Sequence, residues 1–226
     1  MKYRSILGFL AATLLLFSCL KEKEDPVLEM NDCYFPLETG QWWQYTVDSI
    51  IVAGFFEDSV RWEIREQVDS VSVDSENNRL YWLRQYKRKA GQQAWDPVPF
   101  LFTVTRSPQQ AVRTENNLSV VKMVFPLFKG VRWDGNALNT MAAQEFSCQA
   151  EGEPLGVGDF LFVETAHILQ QDLSTLISRD FAEEVFADGT GLVYAYRVHL
   201  ENLHTMQFRI GSKVRTMISG WWNMNG

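Results

Sequence analysis

The chain has 226 residues, 46% of them hydrophobic and 22% charged, with a formal net charge of −7. Such a length suits one domain with a sizeable core, or two small ones. With 28 acidic against 21 basic residues and no basic cluster, nucleic acid is excluded as a partner, and so is electrostatic docking on anionic lipid.

Lys2 and Arg4 form a short basic start, and residues 6–17 are an apolar run too short to span a bilayer. The run ends in Leu16-Phe17-Ser18-Cys19 and is followed at once by Leu20-Lys21-Glu22-Lys23-Glu24-Asp25-Pro26. This order of parts resembles a bacterial lipoprotein signal peptide, residues 1–18, with its lipobox. The resemblance implies cleavage before Cys19, a diacylglycerol thioether on its sulfur, and a further palmitate-type acyl chain on the new amino terminus. It implies anchoring in the outer membrane of the cell envelope, on the periplasmic or the surface-exposed face. Each acyl chain adds about 0.8 kcal/mol per buried methylene, so several together hold a body firmly at a membrane. Residues 19–33, charged and containing Pro26, read as a solvated tether. They also resemble the acidic export signal of Bacteroidetes surface lipoproteins. Removing Lys2 and Arg4 takes the basic residues from 21 to 19 against 28 acidic, a net charge of −9.

Residues 34–226 read as a single β-rich domain. Pro36 and Gly40 shape a corner, and from Gln41 the chain alternates: Trp43, Tyr45 and Val47 point one way, Trp42, Gln44, Thr46 and Asp48 the other. That is the period of a half-buried strand, whose aromatics anchor a core. Residues 59–73 alternate next, with a slip near Asp69-Ser70, then a turn at 74–78 and a return strand at 80–89. A loop at 91–99 holds Trp95. Short strands follow at 100–105, 109–113 and 118–124. Phe125-Pro126-Leu127, Gly130 and Trp133 then repeat the order of Phe35-Pro36-Leu37, Gly40 and Trp42-Trp43. This is either an internal duplication or two similar β-corners, the second being favoured.

Residues 136–143 read as a loop with one helical turn, 144–152 as a strand, Gly156-Val157-Gly158 as a tight connection, and 160–170 as a strand. In 179–187 the spacing of Phe181, Ala182, Val185 and Phe186 is helical, yet Asp188-Gly189-Thr190-Gly191 and the run from Leu192 look like the turn and second arm of a hairpin. Residues 206–210 and 213–218 complete ten to twelve short strands. The fold class is therefore mostly β: an antiparallel, strongly twisted sheet or partly closed barrel with little helix.

Three stretches carry a further resemblance. Phe35-Pro36-Leu37 with Gly40, Trp42 and Tyr45, the second Phe125-Pro126-Leu127 with Trp133, and Gly189-Thr190-Gly191-Leu192-Val193-Tyr194 are similar to the landmarks of many uncharacterised Bacteroidetes lipoproteins. This chain departs from them at Phe186, where tyrosine is frequent, and at Asp188, where lysine is common. The resemblance implies an extracytoplasmic β-rich lipoprotein and favours a strand at 179–187; it supplies no catalytic residue.

Candidate site residues are few. Cys33 and Cys148, in an exported protein, can form a disulfide. Asp48-Ser49-Ile50, Asp58-Ser59-Val60 and Asp69-Ser70-Val71 look like the Bacteroidetes O-glycosylation sequon, on Asp-Ser pairs that favour surface turns. Trp42, off the core face, and Trp95, in its loop, are candidate contacts for a ring-shaped ligand such as a sugar. His167, His199 and His204 form no metal-ligand spacing, and no nucleophile, phosphate-loop or zinc motif appears. Glu183 and Glu184 are adjacent and diverge on a strand, which does not suit paired acid–base work. No catalytic residue, metal or cofactor is therefore assigned. The expectation is a non-enzymatic envelope lipoprotein, held at the membrane by its lipid anchor, that binds a lipid, a glycan or a protein partner. The alternatives are an accessory or structural subunit of an outer-membrane complex, docked through a strand edge, and a hydrolase with dispersed carboxylates.

Overall fold

Among the described residues twelve strands follow one another, and each pairs antiparallel with its neighbour in sequence except β6 with β7. The computed structural model describes residues 32–75, 78–201 and 210–222. The strands are β1 (Trp42–Ala53), β2 (Phe56–Val73), β3 (Arg79–Lys89), β4 (Phe100–Arg106), β5 (Gln110–Glu115), β6 (Leu118–Val124), β7 (Arg132–Asp134), β8 (Glu145–Val157), β9 (Phe160–Ser174), β10 (Ser178–Ala187), β11 (Gly191–Glu201) and β12 (Ile210–Trp222). The one long-range pairing joins the ends of the meander, β1 to β12, from Trp42↔Trp222 to Ala53↔Ile210. The sheet order is thus β6-β5-β4-β3-β2-β1-β12-β11-β10-β9-β8-β7, a single antiparallel sheet that curls until β6 and β7 face each other. At that seam Val121 N donates to Gly135 O at 2.9 Å and Trp133 Nε1 to Val121 O at 2.9 Å, so the barrel is nearly closed.

The alternation read from Trp42 onward is what bends inward. Trp43, Tyr45 and Val47 are buried, with Val68 on β2, Leu83 on β3 and Phe102 and Val104 on β4 in the same core. A second core gathers Met123, Phe125, Leu127, Phe146, Ile168 and Phe186 near the seam.

Two corners of the same construction start the two halves. Gly40 and Gly130 both take positive φ, 88° and 92°, where a side chain would be strained. Gly40 N donates to Val68 O while Val68 N donates to Gln41 O; Gly130 N donates to Cys148 O while Cys148 N donates to Val131 O. Each corner leads into a tryptophan whose indole N–H reaches a backbone carbonyl, Trp43 to Thr190 O and Trp133 to Val121 O.

Residues 178–187 form strand β10, the strand favoured there over the helical spacing. Other expectations are corrected. Strand β8 runs through Gly156 to Val157, so the tight connection expected at 156–158 narrows to a turn at Gly158 and Asp159; bulges at Cys148/Ala150, Glu151/Glu153 and Glu153/Leu155 let the earlier glycines bend without ending the ladder. Residues 136–143 hold turns closed by Ala137 N to Asp134 O and Asn139 N to Asn136 O, with no helix. The expected strand at 206–210 falls almost wholly outside the described residues, and 213–218 belongs to β12. A short 3-10 turn at Asp32–Tyr34 was not expected.

Candidate functional site

A meander of this kind has two ends. At one lie the chain start, the β8–β9 turn and the β10–β11 turn; at the other lie the β1–β2, β3–β4 and β9–β10 turns. The first end is closed by residues 33–37. Gly189 N donates to Cys33 O at 2.9 Å, Arg106 Nη1 to Phe35 O at 3.2 Å, and the Phe35 and Phe186 rings lie 5.6 Å apart. Gly191 sits against this plug: a Cβ there would lie 3.6 Å from Pro36 Cδ.

Above the plug the barrel is not filled. A cavity of about 760 Å³ runs up its interior, within the roughly 300–1,000 Å³ usual for small-molecule sites. Its lower wall is apolar, made by Phe35, Leu37, Trp43, Leu83, Phe186 and Leu192. It opens at the far end, where the exposed Leu118, Met141, Arg197 and His199 line it. The hairpin tips at that end carry exposed apolar side chains: Phe55 and Phe56 at the β1–β2 turn and the start of β2, Leu176 and Ile177 between β9 and β10.

The middle of the cavity is charged. Glu66 interrupts the inward series Ile64-Glu66-Val68 on β2 and is 8% exposed. Arg113 on β5 grips it with Nη2 at 2.7 Å from Oε1 and Nη1 at 3.1 Å from Oε2, and Gln85 Nε2 donates to Oε1 at 2.8 Å. The same guanidinium donates through Nε to Glu115 and lies 3.8 Å from the Phe102 ring centre. Burial alone would push the Glu66 carboxyl up, but the Arg113 charge and hydrogen bonds, helped by Gln85, hold it below its usual range. For Arg113 burial works against the charge, and Glu66 and Glu115 more than restore it. Across the lumen Lys122 on β6 bonds Glu184 Oε1 on β10. Burial, with Glu66 next, raises the Tyr45 hydroxyl well above its usual value, so it stays neutral.

Of these charged residues only Glu184 was weighed in the sequence, with Glu183 as a paired acid and base, and set aside; Glu66 leaves a trace there too. A charged side chain in an inward register, as at Glu66 between Ile64 and Val68, is the mark of a polar interior. The tryptophans that were singled out lie elsewhere, and neither lines the cavity. Arg65 is stacked with both, 5.1 Å from the Trp42 ring and 5.0 Å from Trp95, and Arg88 lies 4.2 Å from Trp95. Both rings are half-buried and covered by cations, so they form no open platform.

Cys33 and Cys148 are not bonded to each other: Cys33 is exposed, and Cys148 is buried with its Sγ donating to Ala150 O. Burial, then Glu151, pushes the Cys148 thiol up to about 11. The three sequon serines lie in strands rather than turns: Ser49 in β1, half-buried, and Ser59 and Ser70 in β2, exposed. His199 bonds Asp180 at the mouth, while His167 lies in β9. Cys19 and His204 lie outside the described residues.

No family model and no curated protein matches the chain. Among solved structures it is similar to a candidate exported protein of Bacteroides fragilis with a YmcC-like fold. That likeness has 11% identity and a TM-score of 0.46, covering 84% of this chain and 98% of the other. It is also similar to a candidate lipoprotein of Parabacteroides distasonis, at 9% identity and a TM-score of 0.41 with the same coverage. At such scores neither likeness bears on what this chain does.

Proposed function

We propose that this chain is a non-enzymatic lipoprotein of the cell envelope, held at the outer membrane through Cys19, whose barrel binds an amphipathic small molecule. The observation that carries the reading is the interior cavity of about 760 Å³ with an apolar floor and a charged middle, open at the end away from the chain start. An apolar chain would lie against Phe35, Leu37, Trp43 and Phe186, and a polar group would reach the charges above. The exposed apolar tips around the mouth suit passage of such a molecule from a lipid surface.

Two facts weigh against the alternatives. The sheet edges β6 and β7 meet at the seam, which disfavours docking by strand addition. The interior carboxylates Glu66 and Glu184 are tied to Arg113 and Lys122, which disfavours a hydrolase built on a free acid and a free base.

The test is direct. Protein purified from an envelope extract is extracted with organic solvent, and the extract is analysed by mass spectrometry beside an Ala195→Trp variant. Ala195 lines the cavity between Glu184 and Thr216, so an indole there obstructs its middle. An amphiphile enriched in the native protein and absent from the variant is expected. Equal recovery from both overturns the reading.

A further inference from the structure

Among the described residues five buried side-chain atoms lack a partner; Gln41 Nε2, Arg65 Nε and His167 Nε2 lie off the cavity lining, and the other two belong to residues that line it. Glu184 is 8% exposed; Lys122 bonds its Oε1, and its Oε2 has no partner and no access to solvent. Gln170 is 3% exposed, and its Nε2 has no partner either. Both residues line the cavity, on the adjacent strands β10 and β9. Glu184 pairs with Ile168, and Gln170, two residues beyond Ile168, is the extra residue at the register shift between Ala182 and Glu183, so both residues sit at or beside one bulge in the cavity wall.

A buried acceptor and a buried donor left open on adjacent strands are costly, because each has lost water without gaining a partner. The rest of the charged cluster offers little to a newcomer. Arg113 spends its guanidinium on Glu66 and Glu115, and Gln85 is bonded to Glu66. Glu66, Glu115 and Glu184 against Arg113 and Lys122 leave one negative charge in excess, which repels a carboxylate or phosphate. One small group answers both open atoms. A hydroxyl can donate to Glu184 Oε2 and accept from Gln170 Nε2 at once. An ammonium has no acceptor and would leave Gln170 unanswered.

Resting on the reading that the barrel holds an amphiphile, we propose that Glu184 and Gln170 form the head-group site for a ligand bearing an alcohol. The apolar chain lies below it on the Phe35–Leu37 floor, and the head group bridges β9 and β10.

Isothermal titration calorimetry on the full-length protein with dodecanol, dodecylamine and laurate tests this, because the three share a chain and differ only in the head. Dodecanol is expected to bind at least about tenfold more tightly than laurate, and more tightly than dodecylamine, tenfold being the effect of one well-placed hydrogen bond. The Gln170→Leu variant removes an unpaired polar atom and leaves the Lys122–Glu184 pair intact. It should weaken dodecanol about tenfold and leave laurate unchanged. Laurate or dodecylamine binding as tightly as dodecanol, or a Gln170→Leu variant that binds dodecanol as the native protein does, overturns the alcohol site while the amphiphile reading stands. Binding of none of the three overturns both.

Discussion

Replacing Arg113 with Met tests the charged interior at its centre. The pair it breaks is two-pronged, at 2.7 and 3.1 Å, and the partner left behind is 8% exposed. At 2.7 Å and an effective dielectric near 20 the gross attraction is about 6 kcal/mol, but most of it offsets the cost of taking both charges from water. The loss on removing one partner is governed by the stranded charge, at about 3–5 kcal/mol. Glu115 also loses Arg113, but its side chain is 42% exposed and regains water. The pH dependence gives the signature. In the native protein Glu66 titrates below its ordinary 4.5, so its contribution is present above that value and is lost as pH falls through the lower folded value. Without Arg113 burial dominates and the carboxyl titrates above 4.5. The variant is then most stable below 4.5 and loses stability as pH rises through its raised folded value. Urea unfolding followed by tryptophan fluorescence should show a deficit of about 3–5 kcal/mol at pH 7 that shrinks on acidification towards pH 4. The double variant Glu66→Leu/Arg113→Met should recover most of it, since an apolar pair replaces the buried ions. A deficit under about 1 kcal/mol at pH 7, or one that does not shrink with acid, would refute this reasoning.

Three further outcomes follow from the packing. Gly135→Ala places a Cβ 2.6–2.8 Å from the Phe146 ring at the seam, so it should cost about 1–3 kcal/mol and lower Tm; a change under about 0.5 kcal/mol would show that the seam yields freely. Trp43→Phe removes the indole N–H that bonds Thr190 O and should cost about 1–3 kcal/mol through the stranded carbonyl, as read by chemical denaturation; an unchanged midpoint would contradict that anchor. In the folded protein Cys33 should react with a thiol reagent much faster than Cys148, and both should react alike in denaturant, because Cys148 is buried and its thiol is pushed up to about 11; recovery of the two as a disulfide from the envelope would contradict the structure.

The strands were legible where alternation is clean, as in Trp43-Tyr45-Val47, because a half-buried strand has a period of two and little else imitates it. The ambiguity at 179–187 has a physical source. Val185, Phe186 and Ala187 are all buried, so the end of β10 is covered on both faces, the period of two is lost, and the apolar residues imitate a helical face. The glycines of β8 misled too, since Gly152 and Gly156 accompany a bent strand that continues past them. The site was barely legible. Glu66 and Arg113 stand 47 residues apart and Lys122 and Glu184 stand 62 apart, and only the curl of the sheet brings each pair together. Trp42 and Trp95 drew notice as large aromatics, but the alternation cannot show that Arg65 covers both.

The central claim is that the barrel interior is a ligand site, and calorimetry on the native protein and on Ala195→Trp addresses it most directly. The account predicts saturable binding of a twelve-carbon amphiphile at one site in the native protein, with a negative heat-capacity change from burial of the chain, and no binding to the variant at an unchanged melting temperature. Equal binding to both proteins would place the ligand outside the barrel, and absence of binding to either would leave the cavity without the role given to it.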